Sequence, residues 1–181
     1  VGHVGEPARP AQPPFTVDVV RSAKRRKSVG AQLRGGVLTV TVPSWMSKAE
    51  ERRWAATMTD RFARSMSTER IDLPQRASAL ARRHRLTDAS DIRWASDMTA
   101  RWGSCTPTTG EIRISDRLAA FPDWVLDYVI VHELAHIEVP SHSPAFWALV
   151  RRYPKAERAI GFLIAKSADG VDEPPEPMAG D

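Results

Sequence analysis

Residues 123–138 constrain this chain more than any other stretch, because they read as a helix that is apolar on nearly every face. Phe121-Pro122-Asp123 opens it and Val139-Pro140-Ser141 ends it, since proline suits a first helical turn and restricts the residue before it. Leu126, Ile130, Leu134 and Ile137 recur at a spacing of three or four and make one stripe, which Val125 and Val129 widen. Such a helix has to be buried. It nevertheless carries His132, Glu133 and His136, and unligated imidazoles and a carboxylate are costly to desolvate.

Histidines four residues apart project from one helical face, so two ring nitrogens can converge on a metal at ~2.0–2.1 Å while the backbone stays regular. A metal supplies the compensation that a plain core cannot. Glu133 lies one residue round from the first histidine, close enough to reach a water on that metal. Zinc lowers the pKa of such a water to about 7, and the carboxylate takes its proton and returns it to the leaving group. Catalytic zinc usually has three protein ligands. His142 follows the break at Pro140, where the chain can turn back, and is favoured as the third. Glu157 on a later helix is its rival, and Glu138 points away from the pair. The expected activity is therefore zinc-dependent hydrolysis with Glu133 as the catalytic base.

The remainder of the 181 residues reads as one domain with trimmings. Pro7, Pro10, Pro13 and Pro14 mark residues 1–14 as a leader with too little apolar surface to order itself, and residues 167–181 read as an acidic tail. The domain is expected over 15–166. Alternation at Val17 and Val19, then at Val37, Leu38, Val40 and Val42 around Gly35-Gly36, predicts two or three antiparallel strands. Ser47 and Glu50 form a capping box ahead of Trp54, Met58 and Phe62, which line one stripe of a helix. A second helix is expected over 74–84, with His84 at the surface among Arg82, Arg83 and Arg85. Two strands, 92–104 and Glu111–Ser115, make a hairpin. Ser143-Pro144 starts a fourth helix and 155–166 a fifth. The fold class is α+β, with helices packed on a small sheet and the active-site helix at about 123–138.

Composition narrows the function. No apolar run is long enough to span a bilayer, and no export signal precedes the domain, so a cytoplasmic protein with no membrane partner is expected. Cys105 is the single cysteine, which excludes a disulfide or a multi-cysteine zinc knuckle and leaves histidine and carboxylate as ligands. The charge is uneven, with 19 basic against 10 acidic residues up to position 110 and 7 against 12 after it. Arg21, Lys24, Arg25, Arg26 and Lys27 form a run dense enough for phosphate groups, although such runs are commonly solvated faces.

Several blocks match a known family in order: Arg101-Trp102-Gly103-Ser104-Cys105, Gly110-Glu111-Ile112-Arg113-Ile114-Ser115, the helix through His132-Glu133-Leu134-Ala135-His136, and His142-Ser143-Pro144-Ala145-Phe146-Trp147. They resemble the YgjP-like metal-dependent hydrolases, small zincins related to SprT-type proteins, and more loosely the resemblance extends over 15–163. It implies a minimal zincin fold with zinc on His132, His136 and His142 and Glu133 as base. Metzincins carry glycine where this chain has Val139, so here the turn falls to Pro140-Ser141. Arg101 is a candidate for holding an oxyanion or a substrate phosphate or carboxylate, against an ion pair with Glu111 or Asp116. Trp102 is expected to pack, and Cys105 to be a small buried residue.

A peptide or protein is the expected substrate, with a strand such as Glu111–Ser115 pairing to an extended peptide. One alternative is hydrolysis of a nucleotide phosphoanhydride, with Arg101 and the basic run holding phosphates. Another is a nucleic-acid-associated module that uses the same run.

Overall fold

The computed structural model describes residues 13–168, so the expected leader and acidic tail lie almost entirely outside the described residues. The chain divides after Ser65 into two compact units. Among the described residues no helix is long and apolar enough to cross a membrane.

The first unit holds strands β1 (Thr16–Ser22), β2 (Gly30–Arg34) and β3 (Val37–Pro43) and most of helix α1 (Lys48–Glu69). Leu38, Val40 and Val42 alternate along β3 and are wholly buried, as the period-two pattern requires. Gly35 and Gly36 turn β2 into β3 with φ of +54° and +77°, values that favour glycine. The β2–β3 pair is the expected antiparallel hairpin, but β1 runs parallel to β3 in the order β1-β3-β2. The basic segment after β1 carries the chain across the sheet, so that β3 returns between the two earlier strands. Ser47 and Glu50 form the capping box of α1: the Glu50 amide donates to Ser47 Oγ at 3.3 Å and the Ser47 amide to Glu50 Oε2 at 3.1 Å. Trp54 on that helix remains 40% exposed.

The second unit contains α2 (Leu73–His84), β4 (Asp91–Ala95), β5 (Gly103–Thr106), β6 (Glu111–Ser115), a 3-10 turn (Asp116–Ala120), α3 (Asp123–Glu138), α4 (Pro144–Val150) and α5 (Ala156–Ala168). Its sheet has the order β4-β6-β5, with β4 parallel and β5 antiparallel to β6. A single strand over 92–104 is therefore excluded. The two halves of that stretch pair with opposite edges of β6 in opposite directions, and the chain must loop between them.

Helix α3 lies at the centre and packs against α2, β5, β6, α4 and α5. Val125, Leu126, Val129, Ile130, Val131 and Leu134 are all buried, which accounts for the all-round apolar pattern. Both of its ends are tied down. Arg76 of α2 donates from Nε to Asp127 at 2.6 Å and from Nη1 to Asp123 at 3.1 Å, while Glu138 accepts from the Thr87 amide at 2.8 Å. His84 is a correction to the sequence reading: it is buried, its Nδ1 donates to the Arg152 carbonyl at 2.9 Å, and its ring meets Tyr153 edge-on. Ala77, Leu80, Ala81 and His84 share the inward face of α2, and the neighbouring arginines look outward.

Candidate metal centre

The helical spacing of α3 brings the His132 and His136 rings to 4.9 Å between centroids. The helix then stops at Val139, whose extended φ of −133° needs no glycine. Pro140 and Ser141 reverse the chain, and Ser143 caps α4 by accepting from the Phe146 amide. His142 lies in this turn, with its ring 5.1 Å from His132 and 4.7 Å from His136. One nitrogen from each of the three lies within 4.8 Å of the others. Glu157 is exposed and is not in this group.

Aromatic side chains of α4 hold the imidazoles. Phe146, fully buried, stacks on His136 at 4.4 Å and meets His132 and His142 edge-on at 4.9 and 4.8 Å. Trp147 stacks on His142 at 5.7 Å. These ring contacts supplement the few hydrogen bonds that the three histidines make among the described residues. His136 Nδ1 donates to the Val139 carbonyl at 3.3 Å, which leaves its Nε2 with a free lone pair. His132 Nδ1 is buried without a hydrogen-bond partner among the described residues.

The donor set suits a metal on geometric and chemical grounds. Nε2 of His132 and Nε2 of His142 lie 3.2 Å apart. Two nitrogens each ~2.05 Å from a tetrahedral zinc stand about 3.3 Å apart, so little movement is needed. Burial, reinforced by the neighbouring His136 and His142, pushes the His132 pKa down to about 3. Burial and His142 also lower that of His136. These rings are neutral at pH 7, the form that binds metal.

Glu133 is buried beside them. Burial raises its carboxyl pKa to about 8, against the pull of the Arg101 guanidinium. Arg101 itself is exposed, and its carbonyl accepts from Arg117 Nη2 at 3.0 Å. Glu111 accepts from Thr109 Oγ1. Trp102 packs as expected: it is buried, lies 5.3 Å from Phe121, and carries the Arg117 guanidinium over its ring. Cys105 is only half-buried, and burial together with Glu133 pushes its thiol pKa up to about 11, so it stays protonated and is a poor ligand.

Two expectations about binding change. Glu111–Ser115 is the central strand β6, hydrogen-bonded on both sides, and has no edge for a peptide. The edge strand packed on α3 is β5. Of the basic run, Arg21 is engaged with Glu51 at 2.7 Å and with the Ser44 carbonyl at 3.0 Å, which weakens its case as a phosphate ligand. Sequence reasoning missed Phe146 and Trp147 as supports of the histidine rings, although their positions just after His142 at a helix start were the available signal.

No curated protein matches this sequence. Among solved structures, the metallopeptidase zymogen of Pyrococcus abyssi abylysin is similar over 54% of this chain and 96% of its own, with 16% identity and a TM-score of 0.47. That of Methanocaldococcus jannaschii jannalysin is similar over 53% and 97%, with 20% identity and a TM-score of 0.46. Residues 49–159, which run from α1 through the histidine cluster into α5, match the YgjP-like metallopeptidase domain, and the chain belongs to that family.

Proposed function

We propose that this protein is a zinc-dependent peptidase in which His132, His136 and His142 hold the metal and Glu133 is the general base. The observation that carries this reading is the convergence of three imidazole nitrogens within 4.8 Å beside a buried carboxylate. Zinc held by these histidines would act as a Lewis acid, acidifying a water and polarising the scissile carbonyl.

Glu133 takes a proton from the attacking water and passes it to the leaving amine as the C–N bond breaks. Its surroundings suit both halves of that task. Burial favours the protonated carboxyl and the Arg101 guanidinium favours the anion that accepts the proton. Arg101, exposed and close enough for its charge to act on Glu133, meets the oxyanion or a substrate carboxylate. The outer edge of β5, which pairs with no strand among the described residues, offers backbone donors and acceptors to an extended peptide and aligns it over α3.

The test uses purified protein with measured zinc content, offered a quenched-fluorescent peptide library and nucleoside triphosphates in parallel. Wild type should cleave peptides, and Glu133→Gln should keep its zinc and lose turnover. Full activity in Glu133→Gln, or products from the triphosphates alone, would overturn the assignment. Zinc retained by a His132→Ala/His136→Ala variant would overturn the ligand set.

A further inference from the structure

Gly103 begins β5 and pairs with Ile114 of β6. Its backbone does not call for glycine: among the described residues the glycines with positive φ are Gly35, Gly36 and Gly110. The space around it does. A Cβ added at Gly103 would lie 2.5 Å from Glu133 Oε1, 2.8 Å from Cγ and 2.9 Å from Cδ. All three distances fall well inside the ~3.5–4.0 Å of ordinary contact between heavy atoms.

The neighbour cannot simply swing away. At Gly30 the crowding group is only the guanidinium tip of the half-buried Arg25, the far end of a long flexible side chain. At Gly103 it is a buried glutamate, overlapped as far back as Cγ, on a helix fixed at both ends by Arg76 and Thr87. Any side chain at 103 must evict the carboxylate or push β5 off α3.

We propose that Gly103 is a positioning residue that seats the Glu133 carboxylate, its missing side chain providing the room that fixes the acid beside the three histidines. The steric relation stands by itself, and only its effect on turnover rests on the role proposed for Glu133.

A double-mutant cycle tests it on the full chain, with zinc and after chelation. Gly103→Ala should lower the melting midpoint by roughly 2–12 °C, the range for overpacking a core in a chain of this size. In a Glu133→Ala background, which vacates the space, the same change should lower it by less than a third as much. Zinc content of Gly103→Ala should match wild type, while peptide hydrolysis falls at least about a hundredfold, as for a displaced catalytic group. Equal destabilisation in both backgrounds, or a Gly103→Ala protein with wild-type melting and turnover, would overturn the proposal. Non-additive melting together with an active Glu133→Gln variant would uphold the seat and remove the base assignment instead.

Discussion

Replacing Phe146 with leucine separates a residue that fills the core from one that organises the proposed metal ligands. Phe146 touches all three imidazoles, stacked on His136 at 4.4 Å and edge-on to the other two at 4.8 and 4.9 Å. Leucine preserves most of the volume, so the packing loss alone should stay below about 1.5 kcal/mol. The ring contacts are lost outright, and aromatic pairs contribute ~0.5–1.5 kcal/mol each beyond buried area. Part of that loss appears as stability of the metal-free protein. The rest appears in affinity, because the exposed His142 and half-buried His136 must be ordered afresh on binding. At ~0.5–1.5 kcal/mol for each side chain immobilised, two rings give ~1–3 kcal/mol, a 5- to 150-fold weaker zinc complex. Competition with a chromogenic chelator measures the affinity, and urea unfolding of the chelated protein measures the stability. A lowered urea midpoint with zinc affinity unchanged would show that Phe146 is core and nothing more.

His142→Ala should weaken zinc binding by more than the ~10–100-fold expected from an outer partner, while Glu157→Ala leaves it unchanged; the reverse order in the same chelator assay would exchange the third ligand. Zinc at a hundred times its dissociation constant should raise stability by about 2.7 kcal/mol, seen as a melting shift that chelation abolishes. Burial, with Arg83 adding to it, lowers the folded-state pKa of His84. The unfolded chain therefore binds this proton more readily, and stability falls as pH drops below the ordinary histidine value of about 6.5 toward the lowered one. Urea midpoints between pH 7 and pH 5 should fall less steeply in His84→Gln, and identical slopes would exclude the contribution. Arg76→Met leaves the part-buried Asp127 without its 2.6 Å partner and should cost ~1–3 kcal/mol in urea unfolding; a loss under about 0.5 kcal/mol would class the pair as an ordinary surface bridge.

Which parts of this fold were legible depended on whether the signal was local. The capping box at Ser47, the proline start of α4 and the turn around Gly110 rest on groups within a few residues of one another, and all were readable. The parallel pairing of β1 with β3, and of β4 with β6, was not. Alternation states which face of a strand is buried but not which neighbour it takes or in which direction. For the same reason the loop between β4 and β5 was read as continuous strand. His84 was misplaced because its charged neighbours outweighed its own position on the inward face of α2.

The histidine cluster was legible because two candidate ligands and the proposed base come from one helical turn, and Pro140 announces a reversal that can return a third histidine. The packing around them was not, because it depends on residues from separate segments that periodicity cannot relate. Phe146 reads from sequence as one more apolar residue of a short helix, yet it lies against all three histidines. Gly103 reads as a weak point in a strand. Its meaning depends on Glu133, thirty positions later, occupying the volume that any other residue would fill. A glycine with unexceptional φ is informative where a close neighbour fills the space of its missing side chain, as at Gly103 and not at Gly161, and at Gly103 that neighbour is the proposed base.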